Sequence, residues 1–436
     1  MTVQLAKGVR DYNFKEMIKR QDLMDKLKKV FEKYGFNPFE TPIIERYDVL
    51  NSKFGAGEDS DAMKEVFKLT DQGQRELGLR FELTLSMCRY IAMNPTVKLP
   101  FKRYEIGRVY RDGPIKLGRL REFVQCDVDI VGAKNMIADA EILKLGVDAL
   151  KELGLDAYIL VNNRKILKGL LDFSGIEEKN KIKAIIIIDK LDKIGEEETK
   201  KELSQLGIQE ENSQKLLDII TFKGTLQETL KLLKEKITDE EGIEGIKEVE
   251  ELFSYLDEED QKNIIFNTSL ARGLSYYTGT IFEGYLRKSK VTSAICGGGR
   301  YDKLISSLMN TNTEYPAIGI SFGLVPILDA INLEEKEEEK EVVSELFVVP
   351  IGNVTKQAMN IAKTMRDNEI KTDIDLMSRP ISKNLKFADS QKIPYALFVG
   401  ENEIKENKYK LKNMMTGNEE QLSIEEVMKR VKTNKS

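Results

Sequence analysis

The most regular alternation of hydrophobic and polar residues lies in residues 102–132, KRYEIGRVYRDGPIKLGRLREFVQCDVDIVG. It covers two runs, residues 103–110 and 122–131, and a period of two is typical of strands that bury one face. The segment between the runs contains three residues that favour turns: Gly113, Pro114 and Gly118. The pattern therefore predicts a β-hairpin.

The polar residues of this hairpin are of two kinds. Four cations crowd the loop: Arg111, Lys116, Arg119 and Arg121. Four hydrogen-bond acceptors follow on the second run: Glu122, Gln125, Asp127 and Asp129. Guanidinium groups bind phosphate oxygens in bidentate pairs, and acceptors at every second position share one face, where they suit an amine or a ring nitrogen. An exposed hairpin of mixed charge is the alternative, and the density of these groups favours a ligand site.

Apolar residues at helical spacing predict helices in other parts of the chain. Met24, Leu27, Phe31 and Tyr34 form one such stripe. Residues 162–263 are rich in Lys and Glu, with Leu and Ile at helical spacing, which predicts a mostly helical module inserted between two parts of one sheet domain. Charges of this kind are more typical of a solvated face than of a site.

The predicted class is α+β, with five segments. Two parts of a sheet-containing core, residues 1–161 and 264–331, flank the helical insertion at 162–263, and the run EEKEEEKE marks a charged linker at 332–343. Residues 344–436 alternate strands and helices and predict a small α/β domain. Its 16 Lys and Arg outnumber its 13 Asp and Glu, which fits contact with a polyanion or an ordinary solvated surface.

Overall composition narrows the function classes. The 436 residues carry a formal charge of -5, so any nucleic-acid contact must be local. Three separated cysteines without a CxxC pair, Cys88, Cys126 and Cys296, argue against a zinc ribbon or a disulfide framework. No apolar export segment or membrane-length window is present, so we expect a cytoplasmic protein without membrane contact.

The chain contains no histidine. This absence excludes Ser-His-Asp and Cys-His nucleophile systems, imidazole bases and His-ligated metals. Catalysis must therefore use arginines, carboxylates, backbone groups and Mg²⁺.

Further candidate residues lie outside the hairpin. In RFELT, Glu82 and Thr84 share a face and could accept from a ligand ammonium, while Thr84 could equally cap the following helix. In LARGLSYYTGTIFE, Arg272 precedes Tyr276 and Tyr277. Neighbouring strand residues face opposite sides, which predicts one tyrosine in the core and one in a pocket wall. The three glycines of GGGRYDKLI are weak evidence for phosphate binding.

These motifs resemble those of histidyl-tRNA synthetases, which are class II aminoacyl-tRNA synthetases, over nearly the full chain. VYRDGPIKLGRLREFVQCDVDIVG looks like class II motif 2, and LARGLSYYTGTIFE is similar to the histidine-recognition signature of the family. KGVRD, RFELT, GGGRYDKLI and LKFADSQKIPYALFVGENE support the resemblance, the last as part of an anticodon-binding domain.

The resemblance implies a fold and an activity. The fold would be an antiparallel-sheet catalytic domain with a helical insertion, followed by an α/β anticodon-binding domain, in a homodimer. The activity would be a histidine–tRNA ligase that uses histidine, ATP with Mg²⁺, and tRNA(His), without zinc. The alternative is a synthetase-like protein that does not charge tRNA, such as the regulatory subunit of ATP phosphoribosyltransferase, which generally lacks the C-terminal domain.

The resemblance also implies site residues. Arg272 and Arg111 would be catalytic. The ATP site would contain Arg111, Arg121, Glu122 and Phe123. Histidine would be bound by Glu82, Thr84, Gln125, Asp129, Tyr276, Tyr277, Arg300 and Tyr301. The acceptor end of tRNA would lie near Lys116 and Arg119.

Two positions depart from the family pattern. Motif 3 usually ends in Gly-x-Glu-Arg, whereas this chain has Val325 and Pro326 at the last two places. Because proline cannot replace a guanidinium group, either a nearby cation such as Lys303 substitutes or ATP use is weakened. Ser275 stands where an aspartate is common, which would alter the orientation of Arg272.

The absence of histidine has a second interpretation once the resemblance is considered. A chain without histidine can be translated when charged histidine tRNA is scarce, which would help the enzyme recover from starvation. Chance loss is the alternative.

Overall fold

The computed structural model describes residues 2–51, 65–115, 120–272, 276–334 and 342–433. They divide into two compact units, the first within residues 1–10 and 23–335 and the second within residues 11–22 and 336–436. Each unit packs its own hydrophobic core against its own sheet. The predicted α+β class is confirmed.

An eight-stranded sheet organises the first unit. In spatial order its strands are β1 (Asn37–Pro38), β5 (Phe101–Tyr110), β6 (Glu122–Val131), β11 (Ala317–Gly323), β10 (Cys296–Arg300), β9 (Thr280–Leu286), β7 (Ala157–Asn163) and β8 (Ile264–Phe266). Strands from β5 to β7 pair antiparallel, and the two outer pairs are parallel. A small separate sheet contains β2 (Ile44–Arg46), β4 (Glu76–Leu79) and β3 (Lys68–Thr70).

Strands β5 and β6 form the predicted hairpin. Ten residues of each strand pair antiparallel, with Arg103 opposite Asp129 and Glu105 opposite Asp127. Because opposite residues in such a pair project to the same face, the register brings these four charged side chains together. The hairpin prediction is confirmed, and it places one arginine–carboxylate pair beside one pair of carboxylates.

Apart from the helices between β7 and β8, the described residues of the first unit contain all or part of six helices. They are α1 (Phe14–Lys33), α2 (Tyr47–Leu50), α3 (Thr84–Met93), α4 (Ile137–Glu152), α12 (Leu304–Met309) and α13 (Leu324–Glu334). Helix α1 begins in residues of the second unit and continues in the first, where Leu27 and Phe31 are fully buried as the apolar stripe predicts.

Seven helices connect β7 to β8. They are α5 (Arg164–Phe173), α6 (Glu178–Ile188), α7 (Leu191–Gln205), α8 (Glu210–Ile220), α9 (Leu226–Lys236), α10 (Glu240–Ser254) and α11 (Glu258–Asn263). Local signals set several of their starts: Thr225 and Glu228 form a reciprocal capping box ahead of α9. This is the stretch for which the sequence predicts a helical insertion, although the exact limits of the domains stay a prediction.

The second unit contains a five-stranded sheet in the order β13 (Thr372–Ile374), β12 (Leu346–Pro350), β14 (Tyr395–Val399), β15 (Tyr409–Asn413) and β16 (Glu419–Leu422). Four further helices accompany it: α14 (Thr355–Asp367), α15 (Ile381–Ser390), α16 (Glu401–Glu406) and α17 (Ile424–Thr433). Alternate residues of β12 enter different apolar clusters, Leu346 and Val348 in one and Phe347 and Val349 in the other. The sheet is therefore covered on both faces, as expected where strands run parallel.

Across the described parts of the chain, no helix combines the length and the apolar character that crossing a membrane requires.

Candidate active site

A cavity of about 410 Å³ opens in the first unit. Its wall is lined by Glu65, Phe81, Glu82, Thr84, Arg111, Gln125, Asp127, Asp129, Asp189, Arg272, Tyr276, Tyr277, Glu283, Gly297, Gly298, Gly299, Tyr301, Gly319, Ile320 and Ser321. The volume is within the range of small-molecule sites, and the wall combines aromatic rings with many charged groups. Strands β6, β9, β10 and β11 all contribute to it.

Three residues of β6 present hydrogen-bond acceptors to this cavity, and we call Gln125, Asp127 and Asp129 the acceptor ladder. Their spacing of two residues places them on one face of the strand. The Gln125 amide donates to Ser321 Oγ on β11 at 2.9 Å, while its own Oε1 is buried without a donor. Asp127 Oδ1 also lacks a hydrogen-bond donor in the described structure. Buried polar atoms of this kind call for a partner, and here the partner would be a ligand in the cavity.

A buried charge network supports the ladder from β5. The Arg103 guanidinium, 1% exposed, lies 2.7 Å from Asp129 Oδ2 and 3.3 Å from Glu105 Oε2. Glu105 also pairs with Arg80 at 2.7 Å and accepts from the backbone and hydroxyl of Thr41. Buried ion pairs require such additional hydrogen bonds to offset desolvation, so this network holds the ladder in place.

The arginines of this network do not fully compensate the negative charge of the carboxyl groups that face the cavity. Burial raises the pKa of Asp127 to about 8, which the Arg103 charge only partly offsets. Burial also raises the pKa of Asp129 and of Glu82 above their ordinary values. A ligand that brings positive charge or N–H donors to this wall would therefore stabilise the ionised carboxylates.

Glu82 caps helix α3 from the cavity wall. Its carboxylate accepts from the backbone N–H of Thr84 at 2.8 Å and from that of Leu85 at 2.6 Å. The helix dipole favours an acidic group at this place. The alternative in which Thr84 caps α3 is therefore wrong, since Thr84 is the first helical residue and Glu82 supplies the cap. Both side chains still line the cavity.

Arg111 follows the end of β5 and is half-buried. Its Nε donates to the carbonyl of Phe81 at 3.2 Å, and its guanidinium lies 4.9 Å from the ring centroid of Phe123. A cation at this distance over an aromatic face is attracted by the ring. The geometry fixes the Arg111 head group in the cavity wall, and Phe123 supports it from the side.

Arg272 lies over strands β9 and β10. Its guanidinium donates to the Phe282 carbonyl at 3.0 Å, lies 3.6 Å from Glu283 Oε1 and 5.6 Å from the Tyr277 ring centroid. A Cβ on Gly297 would collide with the Arg272 guanidinium, and one on Gly299 would lie 2.9 Å from the Tyr277 ring. The glycines of GGGRYDKLI thus leave room for these side chains, which explains the triplet without a phosphate.

Three tyrosines complete the wall. Tyr276 and Tyr277 contact each other with ring centroids 4.7 Å apart, and Tyr276 meets Tyr301 edge to face at 6.2 Å. The hydroxyl of Tyr301 donates to Asp129. The prediction of one core tyrosine and one wall tyrosine is confirmed in part: Tyr277 belongs to the buried core and Tyr276 is half-buried, but both precede β9 and both line the cavity. Strand alternation does not apply to residues outside a strand.

Several candidate residues do not reach the cavity. Arg121 pairs with Asp112 at 2.9 Å, and Glu122 lies 3.4 Å from Arg108. The Arg300 guanidinium is buried against Asp139 and donates to the Ala133 carbonyl at 3.0 Å. These side chains are engaged elsewhere, so their predicted ligand contacts stay predictions without support from this geometry. Lys116, Arg119 and Ser275 lie outside the described residues.

Pro326 lies in the first turn of α13, half-buried and next to Gly323, where a proline is tolerated because the first helical N–H groups lack helical partners. It does not line the cavity. Lys303, the cation that could have substituted for the motif 3 arginine, is exposed at the start of α12 and does not line the cavity either.

Sequence reasoning missed five charged or polar wall residues, among them Glu65. Asp127 was recognised as an acceptor but received no role, and Glu283 and Ser321 carried no motif of their own. Asp189 comes from the end of α6, in the module whose charges were expected to form a solvated face rather than a site; it is exposed to solvent, and it also lines the cavity. Desolvation by surrounding protein atoms, with nearby Glu283, raises the pKa of Asp189 to about 6. The run AIIIID carried the only signal for it, a carboxylate that directly follows buried isoleucines.

Comparison with known proteins identifies the family of the chain. The family model described as histidyl-tRNA synthetase matches residues 8–327, and the model described as anticodon binding domain matches residues 345–434. A Bacillus cereus protein named histidine–tRNA ligase 1 is 38% identical, covering 97% of this chain and 98% of its own. The histidine–tRNA ligase of Clostridium tetani is 37% identical, covering 94% of this chain and 93% of its own.

Solved structures show the same fold. The crystal structure of histidyl-tRNA synthetase from Nostoc sp. PCC 7120 matches with a TM-score of 0.86 and 27% identity over 100% of both chains. A Bacillus halodurans structure, described as an ATP phosphoribosyltransferase regulatory subunit/histidyl-tRNA synthetase, matches with a TM-score of 0.76 and 20% identity over 92% of this chain and 99% of its own, which shows the fold alone. With a family model matched over most of its length and relatives matched nearly end to end, the chain belongs to the histidyl-tRNA synthetase family.

Proposed function

We propose that this protein is a histidine–tRNA ligase that activates histidine with ATP and transfers the histidyl group to tRNA(His). The observation that carries the proposal is one cavity in which buried acceptors without donors share a wall with two arginines. An amino acid supplies the N–H donors, and a triphosphate supplies the negative charge. This combination is what the first half-reaction of a synthetase requires.

The acceptor ladder and Glu82 bind the amino acid. The ammonium group has three N–H donors, and the wall offers Gln125 Oε1 and the Asp129 carboxylate within one strand face. Tyr276, Tyr277 and Tyr301 enclose the side chain between aromatic rings and hydroxyl groups. Rings give an imidazole a flat apolar surface, and the hydroxyls and carboxylates satisfy its N–H group.

The arginines bind ATP and stabilise the reaction. A carboxylate oxygen of histidine attacks the α-phosphorus, the bond to the bridging oxygen breaks, and pyrophosphate leaves with its electron pair. Arg111 holds the α-phosphate, and Arg272 stabilises the charge that develops on it. No side-chain nucleophile or imidazole base takes part, so a chain without histidine loses nothing for this step.

Mg²⁺ enters with ATP rather than as a resident ion in this proposal. Among the described residues no group of three or more Cys, Asp or Glu is arranged to hold a metal. Mg²⁺ commonly takes one or two carboxylates and otherwise phosphate oxygens and water. Glu283 is a wall carboxylate that fits such a role. When bound, the ion would offset the charge of the triphosphate.

The second half-reaction and the assembly depend on other parts of the chain. The terminal ribose hydroxyl of tRNA attacks the histidyl carbonyl, and AMP leaves. The unit that matches the anticodon-binding model would hold the distal end of the tRNA, and Lys116 and Arg119 would lie near the acceptor end.

Exposed Ile44, Met93 and Leu99 supply apolar surface for a homodimer. All three cysteines are buried thiols, consistent with the cytoplasm.

The rival function is a regulatory subunit without tRNA charging. The Bacillus halodurans structure has the same fold, but a shared fold does not decide activity. The match of residues 345–434 to an anticodon-binding model favours the ligase, because regulatory subunits of ATP phosphoribosyltransferase generally lack that domain.

Histidine-dependent ATP–pyrophosphate exchange tests the proposal. We expect exchange that requires histidine, ATP and Mg²⁺ together, followed by charging of tRNA(His) with labelled histidine. Exchange at background level with folded protein would exclude the ligase, and exchange without charging would limit the protein to adenylate formation.

A further inference from the structure

Asp127 is the member of the acceptor ladder to which the family resemblance assigns no role. It lies in the middle of the ladder, between Gln125 and Asp129, and its side chain is 3% exposed. It lines the cavity, and its Oδ1 atom has no hydrogen-bond donor in the described structure. A buried carboxylate oxygen in a cavity wall marks a place where a ligand donor fits.

The charged and titratable groups around Asp127 come from several elements. Arg103 and Glu105 lie on β5, Asp129 on its own strand, Glu82 ahead of α3, Cys88 in α3 and Tyr301 after β10. Two buried guanidinium groups, Arg80 and Arg103, face four carboxyls in this cluster: Glu82, Glu105, Asp127 and Asp129. The ionised cluster therefore lacks positive charge, and a bound ammonium group supplies it.

Resting on the proposed function, we propose that Asp127 is a third acceptor for the α-ammonium group of histidine and that it determines affinity for the amino acid rather than the rate of adenylate formation. Arg103 is already paired with Asp129 and Glu105, and the hydrogen-bond partner of Asp127 is the neutral hydroxyl of Ser321, so the ammonium supplies the charged donor that this carboxylate lacks. Tyr301 cannot take that place, because its hydroxyl donates to Asp129.

Because of this contact, binding of histidine should be coupled to release of a proton from Asp127. Since burial raises the pKa of Asp127 to about 8, the carboxyl is mostly protonated at neutral pH in the empty cavity. An ammonium group favours the ionised form, so binding of histidine releases a proton. Affinity for histidine therefore rises with pH up to about 8 and falls again where the ammonium group itself loses its proton.

The experiment uses the full chain and the variant Asp127→Asn, which keeps the shape of the side chain and removes its charge. Steady-state exchange at pH 6.5 and pH 8.5 gives KM for histidine and kcat. Loss of a charge-assisted hydrogen bond should raise KM about ten- to hundredfold at pH 8.5, with kcat within about twofold. At pH 6.5, where Asp127 is already protonated in wild type, the difference in KM should become small.

Calorimetry of histidine binding without ATP provides a second readout. In buffers of different ionisation enthalpy, wild type should release a proton near pH 7 and Asp127→Asn should not. Asp156→Asn, an exposed carboxylate paired with Arg287 away from the cavity, is the matched control and should behave as wild type.

The outcomes separate this inference from the proposed function. A structural role for Asp127 would follow if the variant lost kcat together with its affinity for histidine. It would also follow if KM changed equally at both pH values. Histidine binding by wild type without proton release would also overturn the inference, and this result does not depend on the variant folding. Wild-type binding with proton release but without exchange would leave Asp127 in place and remove the ligase activity.

Discussion

The acceptor ladder and the arginine pair, Arg111 and Arg272, line one cavity but are held in different ways. The ladder lies on a central strand, and its side chains rest on a buried network in which Arg103 is 1% exposed. Arg111 follows β5, and Arg272 precedes β9. Both are held by backbone carbonyl groups and aromatic rings, and Arg272 also lies near an acidic side chain. Sheet register thus positions the amino-acid side, whereas loops position the phosphate side.

This difference separates stability from catalysis. A change in the ladder's support should disturb folding first, because it leaves buried charge uncompensated. A change in the arginine pair should disturb the reaction and leave folding intact, because those side chains are only partly buried.

Glu105→Gln should have the largest effect, on stability. The substitution removes the negative charge shared by Arg80 and Arg103, and breaking a buried pair costs about 3–5 kcal/mol of unfolding free energy. Urea denaturation followed by circular dichroism measures the loss. Glu152→Gln, which alters the exposed pair with Lys29, should cost less than about 1 kcal/mol. Equal losses in the two variants would contradict the role assigned to the network.

Arg272→Ala should lower turnover in pyrophosphate exchange about 10²- to 10³-fold, because the charge that develops on phosphorus loses its counter-charge. Circular dichroism and the urea midpoint should stay close to those of wild type. Arg272→Lys should recover part of the rate, because it restores the charge without the planar fork. Exchange at the wild-type rate in the alanine variant would remove Arg272 from the catalytic residues.

Phe123→Leu should remove the attraction between the Arg111 guanidinium and the Phe123 ring, which is worth about 0.5–1 kcal/mol. The apolar volume of the side chain is nearly kept. We expect KM for ATP to rise a few-fold and KM for histidine to stay constant. An equal rise in both constants would indicate a general disturbance of β6 rather than a local effect on Arg111.

Asp189→Asn should have the smallest effect. It should change the free energy of ATP binding by no more than about 1 kcal/mol, because solvent at the cavity screens the exposed carboxylate. Its negative charge opposes the triphosphate, so the variant should lower KM for ATP at pH 8. Wild type protonates Asp189 as pH falls through about 6, and the two proteins should then converge. A difference that persists at pH 5 would show that the charge of Asp189 is not responsible.

Sequence patterns predicted the amino-acid side of the site better than the phosphate side. Alternation alone identified the hairpin and the shared face of Gln125, Asp127 and Asp129, because strand periodicity determines which residues share a face. It could not identify Arg103 as their support, since a buried arginine in an alternating run looks like an ordinary polar position.

Loops and long-range contacts account for the misses. The roles of Arg111 and Arg272 came from the family resemblance, and the structure brings both to the cavity. Both tyrosines reach the cavity because their segment is not a strand, and Asp189 was missed because α6 is remote in sequence from every motif. Arg300 follows the glycine triplet in sequence, yet its guanidinium reaches Asp139 of α4, and only the folded chain reveals that partner.

In the proposed function the cavity would recognise histidine with a wall that contains no imidazole, since none exists in the chain. Every imidazole resonance in an NMR spectrum of the untagged complex must then belong to the ligand. Labelled histidine would report its tautomer and its protonation state inside the site without assignment of the protein, so the hydrogen bonds inferred for Asp129 and the tyrosines can be observed from the substrate's side.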